Sequence, residues 1–202
     1  MVNIPTRQAY KPTHPGLFHV EFSGESGEYS SCLRTEKSFS KGQVICPLVK
    51  TIPAPVKAYS SVQVGKGSQD HIELESDLVY VNHSCDPNVA FELPKDRSRW
   101  LVRALTDIPQ GEALTFAYYS TEWDMAQPFD CICGTSKCLG RIQGARYIPM
   151  NTLTRDFINE HILELKQEQQ TAEQNNVKPT NGHAAASDHH RTNGHTNGFG
   201  EY

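Results

Sequence analysis

Between Leu17 and Ile148, apolar and polar residues alternate in short bursts broken by Gly, Pro, Asn and Asp. LFHVEF (17–22) and HIELES (71–76) run with a period of two, the pattern of half-buried strands. GQVICPLV (42–49) is an apolar run closed by a lysine. NVAFEL (88–93), WLVRAL (100–105) and ALTFAYY (113–119) carry the β-branched and aromatic residues that strands favour. PKDRSR (94–99), between two of these, predicts a hairpin turn. No helical period persists in this stretch, so the pattern predicts a mostly β domain of several small sheets over residues 17–148. SFSKGQVI (38–45) and DIPQGEALTF (107–116) each place an apolar residue three positions before a glycine and follow it with a strand, as two β units entered through a glycine turn would.

The period changes after residue 149. Thr152 or Thr154 can cap a helix, and Leu153, Phe157, Ile158, Ile162 and Leu165 fall at helical spacing, which predicts a C-terminal helix within 149–174. The apolar stripe ends at Leu165, and KQEQQTAEQNN has little to bury, so the far end is expected to fray unless a partner covers it. Residues 175–202 are rich in Asn, Gly, His and Thr and predict a disordered tail. His183, His189, His190 and His195 are too loosely spaced there for a metal site. Residues 1–16 show little periodicity and read as an extended N-terminal arm.

Composition narrows the function classes. The 202 residues are 37% hydrophobic, with a net charge of −4 and a pI near 6.1, which argues against nucleic acid as a direct partner. No apolar run approaches the roughly 18 residues of a membrane span. The first residues lack the charged-then-apolar order of a signal peptide. The expectation is a monomer inside the cell, in nucleus or cytoplasm, with no membrane partner.

Six cysteines change the picture further. Cys32 and Cys46 stand alone in strand-like surroundings and read as buried free thiols. Cys131, Cys133 and Cys138 form C-x-C-x4-C with Gly134 and Gly140 nearby, a spacing that lets one loop wrap a metal ion with little closure entropy. Three thiolates leave a tetrahedron open. Water, Cys85 or His83 can complete it, the last two from VNHSCDPNV (81–89). This polar loop breaks an apolar run and crowds Asn82, His83, Asp86 and Asn88 around one cysteine. By residue type alone, it serves equally as a site or as a turn whose Asn and Asp side chains bond their own backbone.

VNHSCDPNV, then IPQGEALTFAYY, then CICGTSKCLG together resemble the C-terminal half of a SET domain followed by its post-SET zinc loop, over roughly residues 30–148 and most strongly over 79–140. The resemblance implies a β-clip fold of small sheets with a pseudoknot, a SET-like domain over 17–128 and a zinc loop over 129–148. It also implies S-adenosylmethionine-dependent methyl transfer to a lysine of a protein, histone or not. Asn82 and His83 match the pair that holds the methyl donor, and Leu139 falls where post-SET residues flank it. Tyr118 matches the catalytic tyrosine, which also borders the donor. Cys85 matches the cysteine that joins Cys131, Cys133 and Cys138 on a structural zinc. Tyr119, beside Tyr118 on the predicted strand, is expected to face the other way and to pack.

The chain also departs from that pattern. The place of the family's G-x-G falls on Ser30-Ser31-Cys32, Val79 stands where an arginine is frequent, and Ala117 stands where an acid commonly precedes the tyrosine. The stretch between Cys32 and Asn82 is short, which trims one wall of the substrate groove. Two other readings therefore stand beside a protein-lysine methyltransferase: a SET-like module that binds partners without catalysis, and a methyltransferase for a small amine.

Overall fold

The computed structural model describes residues 9–22 and 31–176. Ser30 and the histidine-containing tail lie outside the described residues. In chain order the strands are β1 (Phe18–Phe22), β2 (Ser31–Thr35), β3 (Val44–Pro47), β4 (Thr51–Pro53), β5 (Val62–Gln63), β6 (His71–Leu74), β7 (Asn82–His83), β8 (Val89–Glu92), β9 (Leu101–Ala104), β10 (Thr115–Phe116), β11 (Phe129–Asp130) and β12 (Arg141–Ile142). The helices are α1 (Met150–Leu153) and α2 (Glu160–Asn176). The strands pair as β1–β2, β3–β9–β8, β4–β6–β5, β7–β10 and β11–β12. The mostly β architecture of small sheets is the one the pattern predicts.

PKDRSR closes the β8–β9 hairpin. The Asp96 carboxylate accepts from the Ser98 amide and hydroxyl, and the Trp100 indole donates to the Pro94 carbonyl at 2.8 Å. The two glycine-turn segments meet each other. Phe39 and Ile108 exchange both backbone hydrogen bonds at 2.8 Å, and Gly42 and Gly111 take φ values of 83° and 84°, which only glycine adopts without strain. Phe18, Leu33, Ile72, Leu78, Val89, Phe91, Val102 and Leu114 make the main core. A second cluster joins Tyr119 to Ala145, Ile148, Leu153 and Ile162.

The segment ahead of β1 is held by a buried carboxylate. Asp77 accepts from the Thr13 and His14 amides and the Tyr10 hydroxyl, while its own amide donates to the Thr13 hydroxyl at 2.9 Å. These bonds fix the 3-10 turn Asp77–Tyr80, which leads directly into β7.

Four expectations need correction. HIELES does not keep one wet face: β6 is the central strand of its sheet, and His71, Ile72, Glu73 and Leu74 are all buried. The C-terminal helix is two helices. The chain leaves α1 at Thr154 and re-enters helix at Glu160, because Asn159 turns inward. Its carboxamide accepts from the Leu93 amide at 2.8 Å and donates to the Phe91 and Ser120 carbonyls at 2.9 and 3.0 Å. Those tertiary bonds outweigh the continuous helix that the apolar spacing favours. The strand of ALTFAYY stops at Phe116, and Tyr118–Ser120 form a 3-10 turn, so Tyr118 and Tyr119 diverge by turn geometry rather than by strand alternation. Cys46 is buried as expected, whereas Cys32 on β2 is only half-buried. Among the described residues no helix is long and apolar enough to cross a membrane.

Candidate active site and metal centre

VNHSCDPNV begins as a strand and ends as a loop. Asn82 and His83 pair in parallel with Thr115 and Phe116, and the loop then folds back on the same strand. Asn88 holds that return: its carboxamide accepts from the Thr115 amide and donates to the Ala113 carbonyl, both at 2.8 Å. The Ser84 hydroxyl bonds both backbone groups of Asp86 at 3.1 Å. Asn88 and Ser84 are thus used to shape the loop. Cys85 is turned inward and is 1% exposed.

The second loop arrives from the far side. The β11–β12 ladder closes its base, the Cys131 amide donates to the Gly140 carbonyl, and Gly134 and Gly140 take positive φ to turn the chain. The sulfurs of Cys85, Cys131, Cys133 and Cys138 all lie within 4.8 Å of one another. A tetrahedral thiolate site with bonds of about 2.3 Å has edges of about 3.8 Å, and the Cys85 and Cys131 sulfurs are 3.8 Å apart. Two backbone N–H groups point at sulfur, that of Leu139 at Cys85 and that of Cys133 at Cys131, both at 3.4 Å, and His83 Nε2 lies 3.3 Å from the Cys85 sulfur. Four soft donors with N–H groups directed at them fit a metal ion. The thiols are unequal without one. Burial pushes Cys85 up, whereas at Cys133 burial is outweighed by hydrogen bonds from Thr135 and its neighbours, which bring the thiol down to about 6. Lys137 staples the two loops through Asp86 at 2.8 Å and reaches Asp156 at 3.5 Å.

Tyr118 stands beside this cluster. Its ring packs against His83, Phe116 and Phe129 with centroids 5.2, 4.9 and 6.0 Å away. Its hydroxyl donates to the Val81 carbonyl at 3.4 Å, and burial raises its pKa to about 12, so it stays protonated at neutral pH. Its amide donates to His83 Nδ1 at 3.1 Å. Burial also lowers the His83 imidazole to about 4, which keeps it neutral. Asn82 is exposed and donates to the Ser31 carbonyl at 2.8 Å, at the start of β2. The structure therefore brings Asn82, His83, Tyr118, Leu139 and the four cysteines to one place.

Sequence reasoning missed the Lys137 staple, although opposite charges on two cysteine-bearing loops were a usable signal. It also missed Glu122. This carboxylate is buried four residues after Tyr118, accepts from the Gln63 amide at 2.7 Å, lies 3.8 Å from His71 Nε2, and is raised to about 7 chiefly by burial. Nothing in the local pattern around STEWD marks it.

Comparison with known proteins gives the family. The SET domain family matches residues 30–119. A protein of Aspergillus flavus named methyltransferase flvH is 42% identical over 164 residues, covering 80% of this chain and 86% of that protein. The histone H3 lysine-4 specific methyltransferase of Saccharomyces cerevisiae is 38% identical over 64 residues, and the lysine-9 specific dim-5 of Neurospora crassa is 36% identical over 77. Each match covers 30% of this chain but only 6% and 23% of those longer proteins. A crystal structure of KRYPTONITE with DNA, an H3 peptide and SAH superposes with a TM-score of 0.44 at 17% identity, over 57% of this chain and 28% of that one. With a relative 42% identical along four-fifths of its length, this chain belongs to the SET-domain methyltransferase family.

Proposed function

We propose that this protein transfers a methyl group from S-adenosylmethionine to the side-chain amine of a lysine in a protein. The observation that carries this is the pairing of the Tyr118 hydroxyl with the Val81 carbonyl, 3.4 Å apart, at the end of the strand that presents Asn82 and His83. A hydroxyl oxygen and a carbonyl oxygen at the same point each accept an N–H of the amine, which leaves its one lone pair free to face the methyl. When bound, the donor supplies a sulfonium methyl. The amine must be neutral to attack it, and the rings of Phe116 and Phe129 packed against Tyr118 give apolar surroundings that would disfavour an ammonium ion. Transfer would exchange the donor's S–C bond for the new N–C bond, with the electron pair left on sulfur. The product ammonium then loses a proton to water. Tyr118 positions the amine and is not the base, in keeping with its high pKa.

Asn82 and the His83 backbone are assigned to the donor, and Leu139 to its edge. Cys85, Cys131, Cys133 and Cys138 are assigned to one structural zinc that shapes that edge. The lysine target rests on the site itself and on relatives that match 30% of the chain, since the name of the relative matching 80% gives no target.

Calorimetry with S-adenosylmethionine, followed by labelled-methyl transfer to total protein and to a panel of small amines, tests the reading. Donor binding with label on protein lysines is expected, and Tyr118→Phe should lower turnover at least tenfold. No binding at millimolar donor, or label on small amines only, overturns it.

A further inference from the structure

Both ring nitrogens of His83 are engaged, and the Tyr118 contact fixes the role of one of them. The Tyr118 backbone N–H can only donate, so Nδ1, 3.1 Å away, must present its lone pair. A neutral imidazole then carries its proton on Nε2, which lies 3.3 Å from the Cys85 sulfur. The ring cannot readily turn, because Tyr118, Tyr119 and Phe129 meet it edge-on at 5.2, 5.9 and 5.6 Å. A flipped ring would set its Cδ2–H against the Tyr118 N–H and lose both bonds.

We propose that His83 is a positioning residue whose imidazole, locked as the Nε2–H tautomer, holds the Cys85 sulfur at one end and the Tyr118 backbone at the other. Metal occupancy and the placement of the Tyr118 hydroxyl then become one coupled event. The N–H bond to sulfur is strongest when the sulfur is a metal-bound thiolate, so metal binding tightens the ring and the ring tightens the tyrosine. The side chain has no nitrogen left for the methyl donor, which leaves His83 only its backbone for that contact. This rests on the cysteine cluster being a zinc site.

Two conservative variants separate the two ends. His83→Asn keeps an oxygen near Nδ1 for the Tyr118 amide and loses the reach to Cys85. His83→Gln places an N–H near Nε2 for Cys85 and loses the acceptor for Tyr118. Zinc affinity by chelator competition and hydrogen exchange of the Tyr118 amide are read on the full chain, with the Leu114 amide, bonded to the Leu33 carbonyl, as a control.

In the wild type, zinc removal should speed Tyr118 exchange at least tenfold and leave Leu114 unchanged. His83→Asn should weaken zinc by about 10–100-fold, the usual range for a partner of a metal ligand, and make Tyr118 exchange indifferent to zinc. His83→Gln should hold zinc within a few-fold and exchange Tyr118 fast with or without it. Equal behaviour of the two variants with zinc-loaded wild type, or a rise shared with Leu114, overturns the coupling alone. A wild type that takes up no zinc overturns the metal reading with it. Should either variant fail to fold, ¹⁵N spectra of the wild-type imidazole decide: protonated Nε2 and bare Nδ1 are expected, and a proton on Nδ1 refutes the proposal.

Discussion

Glu122→Gln should make the protein more stable at neutral and alkaline pH, by an amount the structure sets. Burial lifts the Glu122 carboxyl from 4.5 to about 7, against hydrogen bonds from Gln63 and Thr121 and the charge of Lys57, all of which favour ionisation. At about 1.4 kcal/mol for each pH unit between the folded and unfolded values, the ionised carboxylate costs the fold about 3 kcal/mol. Because the folded pKa lies above the unfolded one, the stability linked to the proton is complete below about pH 4.5. It shrinks as pH rises and is gone above about 7. Glutamine keeps an oxygen for the Gln63 amide and places an N–H toward His71, so little packing is lost.

The wild-type profile alone does not isolate this term. Burial lowers His71, His83 and His161, so each destabilises the fold as pH falls below about 6.5, opposite in direction to Glu122. The difference between Glu122→Gln and wild type cancels His83 and His161 to first order, while His71, 3.8 Å from the carboxylate, is coupled to it and contributes to the gap only at the acid end. Urea denaturation at half-unit steps from pH 5 to 8 should give two curves that draw apart with rising pH, reaching a gain of about 3 kcal/mol for the variant. Parallel curves, or a gap that widens toward acid, would refute a buried, proton-holding Glu122.

Asn159→Ala should cost about 3 kcal/mol in the same assay, since it orphans the Leu93 amide and leaves the Phe91 and Ser120 carbonyls short of a donor. A loss under 1 kcal/mol would mean that α2 docks without it. Cys85→Ser should reduce zinc from one per chain to a small fraction by metal analysis, and unchanged content would place the fourth ligand elsewhere. Cys32→Gly should tighten S-adenosylmethionine binding in calorimetry while lowering stability by about 1 kcal/mol, the usual cost of glycine in a strand. Unchanged or weaker binding would mean that the Cys32 side chain does not crowd the donor.

The legible parts of this chain are those whose signal is local. Strand pairs such as β8–β9 close over one short turn, so alternation and the PKDRSR break suffice to place them. Cys131, Cys133 and Cys138 announce a metal by spacing within one loop. Cys85 does not, because it reaches the cluster from 46 residues away, and only the likeness to a known family chose it over His83. The helix break was illegible for the same reason. Its cause is a set of bonds from Asn159 to residues 39 to 68 positions earlier, and nothing between Thr154 and Asn159 reports them. The burial of His71 and Glu73 depends on β6 being flanked by strands on both sides, which alternation within HIELES cannot express.

The lost glycines at Ser30-Ser31-Cys32 take on a narrower meaning in the structure. Glycine serves a chain either by reaching positive φ or by leaving room for another group. Ser31 and Cys32 lie in β2, in ladder with Phe22 and Glu21, and among the described residues Lys50 is the non-glycine at positive φ. Their backbone is therefore ordinary strand and carries no strain from having side chains. Asn82 ties the loop to that strand by reaching the Ser31 carbonyl. At Cys32 only space remains at stake. Space can be recovered by a small shift of a half-buried thiol, whereas a wrong backbone conformation would have displaced Asn82 and with it the loop that carries His83 and Cys85. The departure in sequence at Cys32 leaves intact the frame that holds Tyr118.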